Sequence, residues 1–210
     1  MTLSPRCHTS SPHYRQDPVL KHGEISQYEL LAPRVRDFFD NQFLRAYQLV
    51  NDMRHPNSGL YYDAYVTSGQ EALPSSIAAT GVGLISLCIG HHTGWEKNSP
   101  AKIIHTLKSI TGELPGVTPY RDNSTGFFAH FIDCAHGARR WHSEISTIDT
   151  ALLVSGALFA MHYFQGHGEI TRLATKLYQS INWQAAIASP ISGQLFLEIE
   201  KGQGIKPLAP

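Results

Sequence analysis

Glu144 is the residue whose setting most invites chemistry. It follows Trp141, His142 and Ser143 and precedes a long apolar run, with His130 and Asp133 upstream in GFFAHFID. A carboxyl group among aromatic and apolar neighbours is raised in pKa and can keep a proton to donate. A carboxylate in the first turn of a helix is instead held down by the helix dipole. Both readings are open for Glu144, because it stands where an extended stretch meets a helix.

The elements that must position it can be read from the pattern. Residues Gly126 to Ser143 alternate, with Phe128, His130 and Ile132 on one side and a turn at Cys134 to Gly137. This predicts a β-hairpin returning through Arg139 to Ser143. From Ser146 the period becomes helical, and Leu152, Leu153, Gly156, Ala157, Ala160, Tyr163 and Phe164 form a wide apolar face. Ser146-Thr147-Ile148-Asp149 has capping-box spacing, although Asp is shorter than the usual Glu. Further helices are predicted from about Arg34 to Met53, Ile77 to Ile89, Ile103 to Ile110 and Ile170 to Ile181. The expectation is an all-α fold of about five helices with one inserted hairpin. No sequence repeat is expected. Residues 1–30 read as a flexible tail and 184–210 as an irregular one.

Composition excludes several classes. Lys plus Arg and Asp plus Glu both number 17, so the formal charge of the 210-residue chain is zero. That argues against a nucleic-acid or anionic-membrane partner. No apolar run reaches membrane-spanning length. Cys7, Cys88 and Cys134 are too widely spaced for a zinc pattern or a disulfide framework. The 12 histidines include no HExxH and fit no ligand spacing, so neither metal nor cofactor is expected. Gly81-Val82-Gly83 lacks the third glycine, the preceding strand and the acidic partner of a dinucleotide loop. Met1 to Leu20 has no apolar signal-peptide core, which makes the cytoplasm the default compartment.

HPNSGLYYD (His55 to Asp63), SIAATGVGLISLCIG (Ser76 to Gly90), Gly94-Trp95, GFFAHFID, SEISTIDTALLVSGALFAMHYF (Ser143 to Phe164) and EITRLATKLYQSINW (Glu169 to Trp183) occur in this order. Together they resemble the glycoamylase-like family of bacteria, which includes endo-β-1,2-glucanases and a module of cyclic β-1,2-glucan synthases. The resemblance implies an (α/α)6 toroid with a sugar groove at one end. The family domain is about twice as long, so it implies an incomplete toroid over residues 31–183. Members are often exported.

The resemblance also assigns roles. Glycoside cleavage needs two carboxyl groups at the scissile bond, one donating a proton and one acting on water or sugar. Glu144 is implied as the acid and Asp63, among Tyr61, Tyr62 and Tyr65, as the second carboxylate. The bland reading of Asp63 is a solvated turn residue. His130, Asp133, Trp141, His142, Asp149 and Tyr62 are the residues expected to line the groove for an oligo- or polysaccharide. The β-1,2 linkage comes from the resemblance alone. The alternative is a non-catalytic remnant, or a half-domain that pairs with itself, a second half-domain or another chain.

Overall fold

Helices form where the apolar periodicity placed them. α1 spans Pro33–Asp52, with its proline at the first turn. α2 (Ile77–Thr93) and α4 (Thr147–Tyr163) each have 17 residues and are apolar on most sides. α3 (Ser99–Ile110) and α5 (Gly168–Gln179) each have 12 and are amphipathic. The computed structural model describes residues 27–65, 73–200 and 203–207, the last five by backbone alone. The expected flexible tail therefore lies largely outside the described residues. The chain divides into two compact units, residues 1–48 and 49–210. The first carries most of α1, where the Tyr28 hydroxyl donates to the Asp40 carboxylate. The second carries every candidate site residue.

In the second unit α2 and α4 pack closely because glycines face each other. A Cβ on Gly156 would strike the Gly81 carbonyl and lie 2.7 Å from its carbon; one on Gly81 would lie 2.7 Å from the Leu153 Cα. α3 packs on α2, α5 on α4, and α3 on α5. Leu84, Leu87, Ile103, Leu107, Leu153, Ala157, Leu173 and Leu177 share one buried cluster. No helix among the described residues is long and apolar enough to cross a membrane.

The second unit is built on an internal repeat that the sequence analysis did not anticipate. Gly59, Gly126 and Gly193 all have left-handed backbone (φ 72°, 82° and 72°), and they are spaced by 67 residues (126 − 59 and 193 − 126). Each closes the same turn. The Gly59, Gly126 and Gly193 N–H groups donate to the carbonyls of His55, Asp122 and Ser189 at 2.9, 2.8 and 2.9 Å. The side chains of those three residues accept from the N–H of Ser58, Thr125 and Ser192. Only the conformation recurs strictly, because the turn needs a short polar acceptor and a glycine and tolerates change elsewhere.

The helices that follow start alike. Ser76 caps α2 by accepting from the Ala79 N–H, and Ser146 caps α4 by accepting from the Asp149 N–H. Thr80 donates to the Ser76 carbonyl and accepts from the Tyr61 N–H at 3.2 Å. Thr150 donates to the Ser146 carbonyl and accepts from the Phe128 N–H at 2.9 Å. Both threonines are fully buried, so each ties the strand after the turn to the first turn of its helix.

Two expectations are corrected. Among the described residues, the segment 184–210 is not irregular. After a 3₁₀ turn, Trp183–Ala186, it forms β4 (Ile187–Ser189), β5 (Gln194–Glu200) and β6 (Gln203–Pro207). β5 pairs with β3 (Ile145–Ser146), joining Ile145 to Ile199. β2 (Phe131–Ile132) pairs in the same way with β1 (Ser75–Ser76), joining Ser75 to Ile132. The strand signal in β5 was weak because Leu195 and Leu197 stay 43% and 37% exposed, while only Ile199 is fully covered. The inserted hairpin is the second correction. It returns only as far as Arg140, through the Ile132–Arg139 bridge and the Asp133 and Arg140 N–H groups donating to the Ala138 and Phe131 carbonyls, and residues 128–132 also run between β1 and the Glu144–Ser146 stretch. Phe127, Phe128 and Ala129 are all buried, so the segment is covered on both faces rather than on one.

Candidate functional site

The segment from Ala129 to Phe131 presents His130 at the centre of the site. Its N–H donates to the Glu144 carbonyl at 2.9 Å, which sets the two side chains together. The His130 Nδ1 lies 2.8 Å from Glu144 Oε1, and its Nε2 lies 3.9 Å from Asp149 Oδ1. The half-made capping box explains why Asp149 is available. Its N–H serves the Ser146 cap, but its side chain is too short to return the bond and turns toward His130. The side chains are 27%, 39% and 15% exposed for His130, Glu144 and Asp149, so sheltered groups meet water at one edge.

Glu144 is not in the first helical turn. α4 begins at Thr147, and Glu144 precedes β3. Partial burial pushes its carboxyl up, but its own backbone N–H, the His130 imidazole and the Arg139 charge together bring it below the ordinary glutamate value. This direction is opposite to the raised value that a resting proton donor needs. The ligand atoms of His130, Glu144 and Asp149 all lie within 4.8 Å of one another. One imidazole and two carboxylates can hold a divalent ion, a convergence that linear spacing did not announce. Glu144 and Asp149 face the two ring nitrogens of His130 from opposite sides.

An aromatic row leads outward from this cluster. His130 stacks on Phe131 with ring centres 3.8 Å apart, and Trp141 meets Phe131 edge-on at 5.6 Å. Trp141 is 65% exposed. Trp141 and His142 have φ of 52° and 51°, the left-handed region. For residues with a Cβ this costs on the order of 1–2 kcal/mol each, so other contacts must hold the turn. Arg139 supplies them: its Nε donates to the Ser143 carbonyl at 2.7 Å and its Nη2 to the His142 carbonyl at 3.3 Å. Sequence reasoning missed Arg139, since no spacing links a guanidinium to carbonyls three and four residues on.

Other expected residues lie elsewhere. The Asp63 N–H donates to the Pro74 carbonyl, as that of His130 does to Glu144, so Asp63 is the first repeat's counterpart of His130. Two strands separate its backbone from that of Glu144, roughly 14 Å at ordinary strand spacing. Asp63 is thus not paired with Glu144. Tyr62 is half-buried in the first repeat, edge-on to His55. Asp133 turns into its own loop, accepting from the Ala135 and His136 N–H groups at 3.1 and 2.7 Å. His142 is exposed beside Trp141. Two surface depressions, one against Arg172, Lys176 and Ser180 and one lined by Thr118 to Ser124, include neither Glu144 nor His130.

No protein-family model and no curated protein matches the chain by sequence. Solved structures do match it by fold. A putative glucoamylase from Bacteroides caccae aligns with TM-score 0.64 at 16% identity, over 81% of this chain and 43% of its own. An endo-β-1,2-glucanase from Chitinophaga pinensis, solved with sophorotriose and glucose, aligns with TM-score 0.62 at 14% identity, over 84% of this chain and 44% of its own. A β-1,2-glucanase from Parabacteroides distasonis aligns with TM-score 0.59 at 20% identity, over 79% and 24%. The chain spans less than half the length of each. In fold, this mainly helical chain is similar to part of these putative glucoamylase and β-1,2-glucanase structures.

Proposed function

We propose that this chain is a glycoside hydrolase-like module that takes a β-glucan, β-1,2-linked, at the His130–Glu144–Asp149 cluster. The observation that carries the reading is the imidazole held between two sheltered carboxylates beside an exposed tryptophan. Glu144 is the general acid. At rest its own backbone N–H, the His130 imidazole and the Arg139 charge hold the carboxyl down against burial; a sugar hydroxyl that takes over the imidazole removes one of these and shifts the balance upward. Asp149 holds His130 from its other side. Asp63, one repeat away, contacts a neighbouring sugar ring and not the bond that Glu144 serves. Trp141 and His142 meet the sugar at the rim. Release of reducing ends from linear β-1,2-glucan, with β-1,3- and β-1,4-glucans in parallel, tests this. Release from the β-1,2 polymer alone is expected; none from any, with no sophorotriose bound, removes the reading.

A second reading is favoured by one specific feature. α4 exposes Ile148, Leu152 and Phe159 (42%, 48% and 46%) along one stripe, and α2 exposes Val82 (51%). Apolar stripes of this kind mark interaction surfaces. We propose that this face pairs with a second helical half-domain of the same architecture, here a second copy. Leu152→Asp with Phe159→Asp is expected to convert a dimer to a monomer by light scattering. A wild-type monomer at high concentration would remove this reading.

A further inference from the structure

We infer that Arg139 is a positioning residue that holds Trp141 as a stacking platform for a pyranose ring beside the His130–Glu144 pair; this rests on the carbohydrate reading above. Trp141 and His142 stand in a conformation that residues with a Cβ seldom adopt. A turn left to itself would relax out of it. The Arg139 guanidinium prevents this by donating to the carbonyls of both His142 and Ser143. It is itself placed over the Tyr120 ring, 5.4 Å from its centre. The Ser143 N–H closes the turn on the Arg140 carbonyl at 3.0 Å, and the Ser143 hydroxyl ties it to Phe131 by donating to the Phe131 carbonyl at 3.1 Å.

The held ring has a definite outlook. One edge of the contact belongs to Phe131, and the Arg140 guanidinium sits 5.7 Å from the ring centre, yet two-thirds of Trp141 remains open. An indole fixed in this way gives stacking area with little entropy left to lose on binding. Phe131 links it to His130, so the platform and the carboxylate pair serve one ligand at adjacent positions. The arrangement suits a chain of at least two sugar rings, one over Trp141 and one at Glu144.

The test uses protein labelled with 5-fluorotryptophan, whose three tryptophans give separate ¹⁹F signals, and sophorotriose as the probe. Arg139→Gln is expected to move the Trp141 signal, leave those of Trp95 and Trp183 in place, and weaken sophorotriose binding by about tenfold. Adding His142→Gly should return the Trp141 signal toward its wild-type position, since glycine at 142 takes the left-handed conformation without a clamp. The inference is overturned if Arg139→Gln leaves the Trp141 signal and the affinity at wild-type values. It is equally overturned if all three signals move together and His142→Gly recovers nothing. A wild-type protein that binds no sophorotriose removes the carbohydrate reading instead, and the Trp141 signal still decides the clamp.

Discussion

Glu144→Gln is expected to lower sugar release from linear β-1,2-glucan by roughly 10²–10⁴-fold, the range that general-acid catalysis supplies. Binding should survive, because the amide keeps the shape and one acceptor for His130. The same logic makes a pH prediction through His130. The imidazole contact is one of the influences that lower Glu144, while burial raises it. Removing the contact with His130→Ala should therefore raise the Glu144 pKa. A general acid works only while protonated, so the alkaline limb of the rate profile should move to higher pH in His130→Ala. A limb that moves to lower pH, or a Glu144→Gln enzyme with wild-type rate, would show that Glu144 is not the donor.

The largest effect on stability is expected at the α2–α4 crossing. Gly156 lies so near Gly81 that an added methyl meets backbone, not a side chain that could swing away. Alanine at 156 gains about 1 kcal/mol in helix propensity but forces two buried helices apart. Overpacking of this kind costs about 3 kcal/mol or more when neither partner can yield. We expect Gly156→Ala to lower the urea midpoint sharply and Gly156→Leu to prevent folding. Equal or greater stability for Gly156→Ala would mean that the helices do not cross at these glycines.

The helices were legible because each writes its period over three or more turns. α4 read as a helix with a wide apolar face, and its Ser146 cap stands where the capping-box spacing suggested. The sheet elements were not legible, since two-residue strands such as β1 to β3 carry no period at all. The repeat was hidden for a different reason. HPNSG, DNSTG and SPISG share little beyond a final glycine, yet the hydrogen bonds they make are the same. Within the site, Glu144, His130 and Asp149 were all named from the sequence, but their grouping was not. Asp149 was read first as a cap, and only the geometry turns its side chain to His130. The pairing of Asp63 with Glu144 came from the family resemblance. The repeat separates them, since Asp63 occupies the place that His130 holds one unit later.

The proposed carbohydrate site at the His130–Glu144–Asp149 cluster is open to a spectroscopic test. Protein labelled with ¹³C at the histidine rings, titrated with sophorotriose and followed by ¹H–¹³C correlation spectra, addresses it most directly. The His130 ring signal should move progressively and saturate, while that of His105, held by Arg54 Nη2 at 3.0 Å, stays still. A titration that leaves His130 unmoved, or that shifts His105 in its place, would contradict the account.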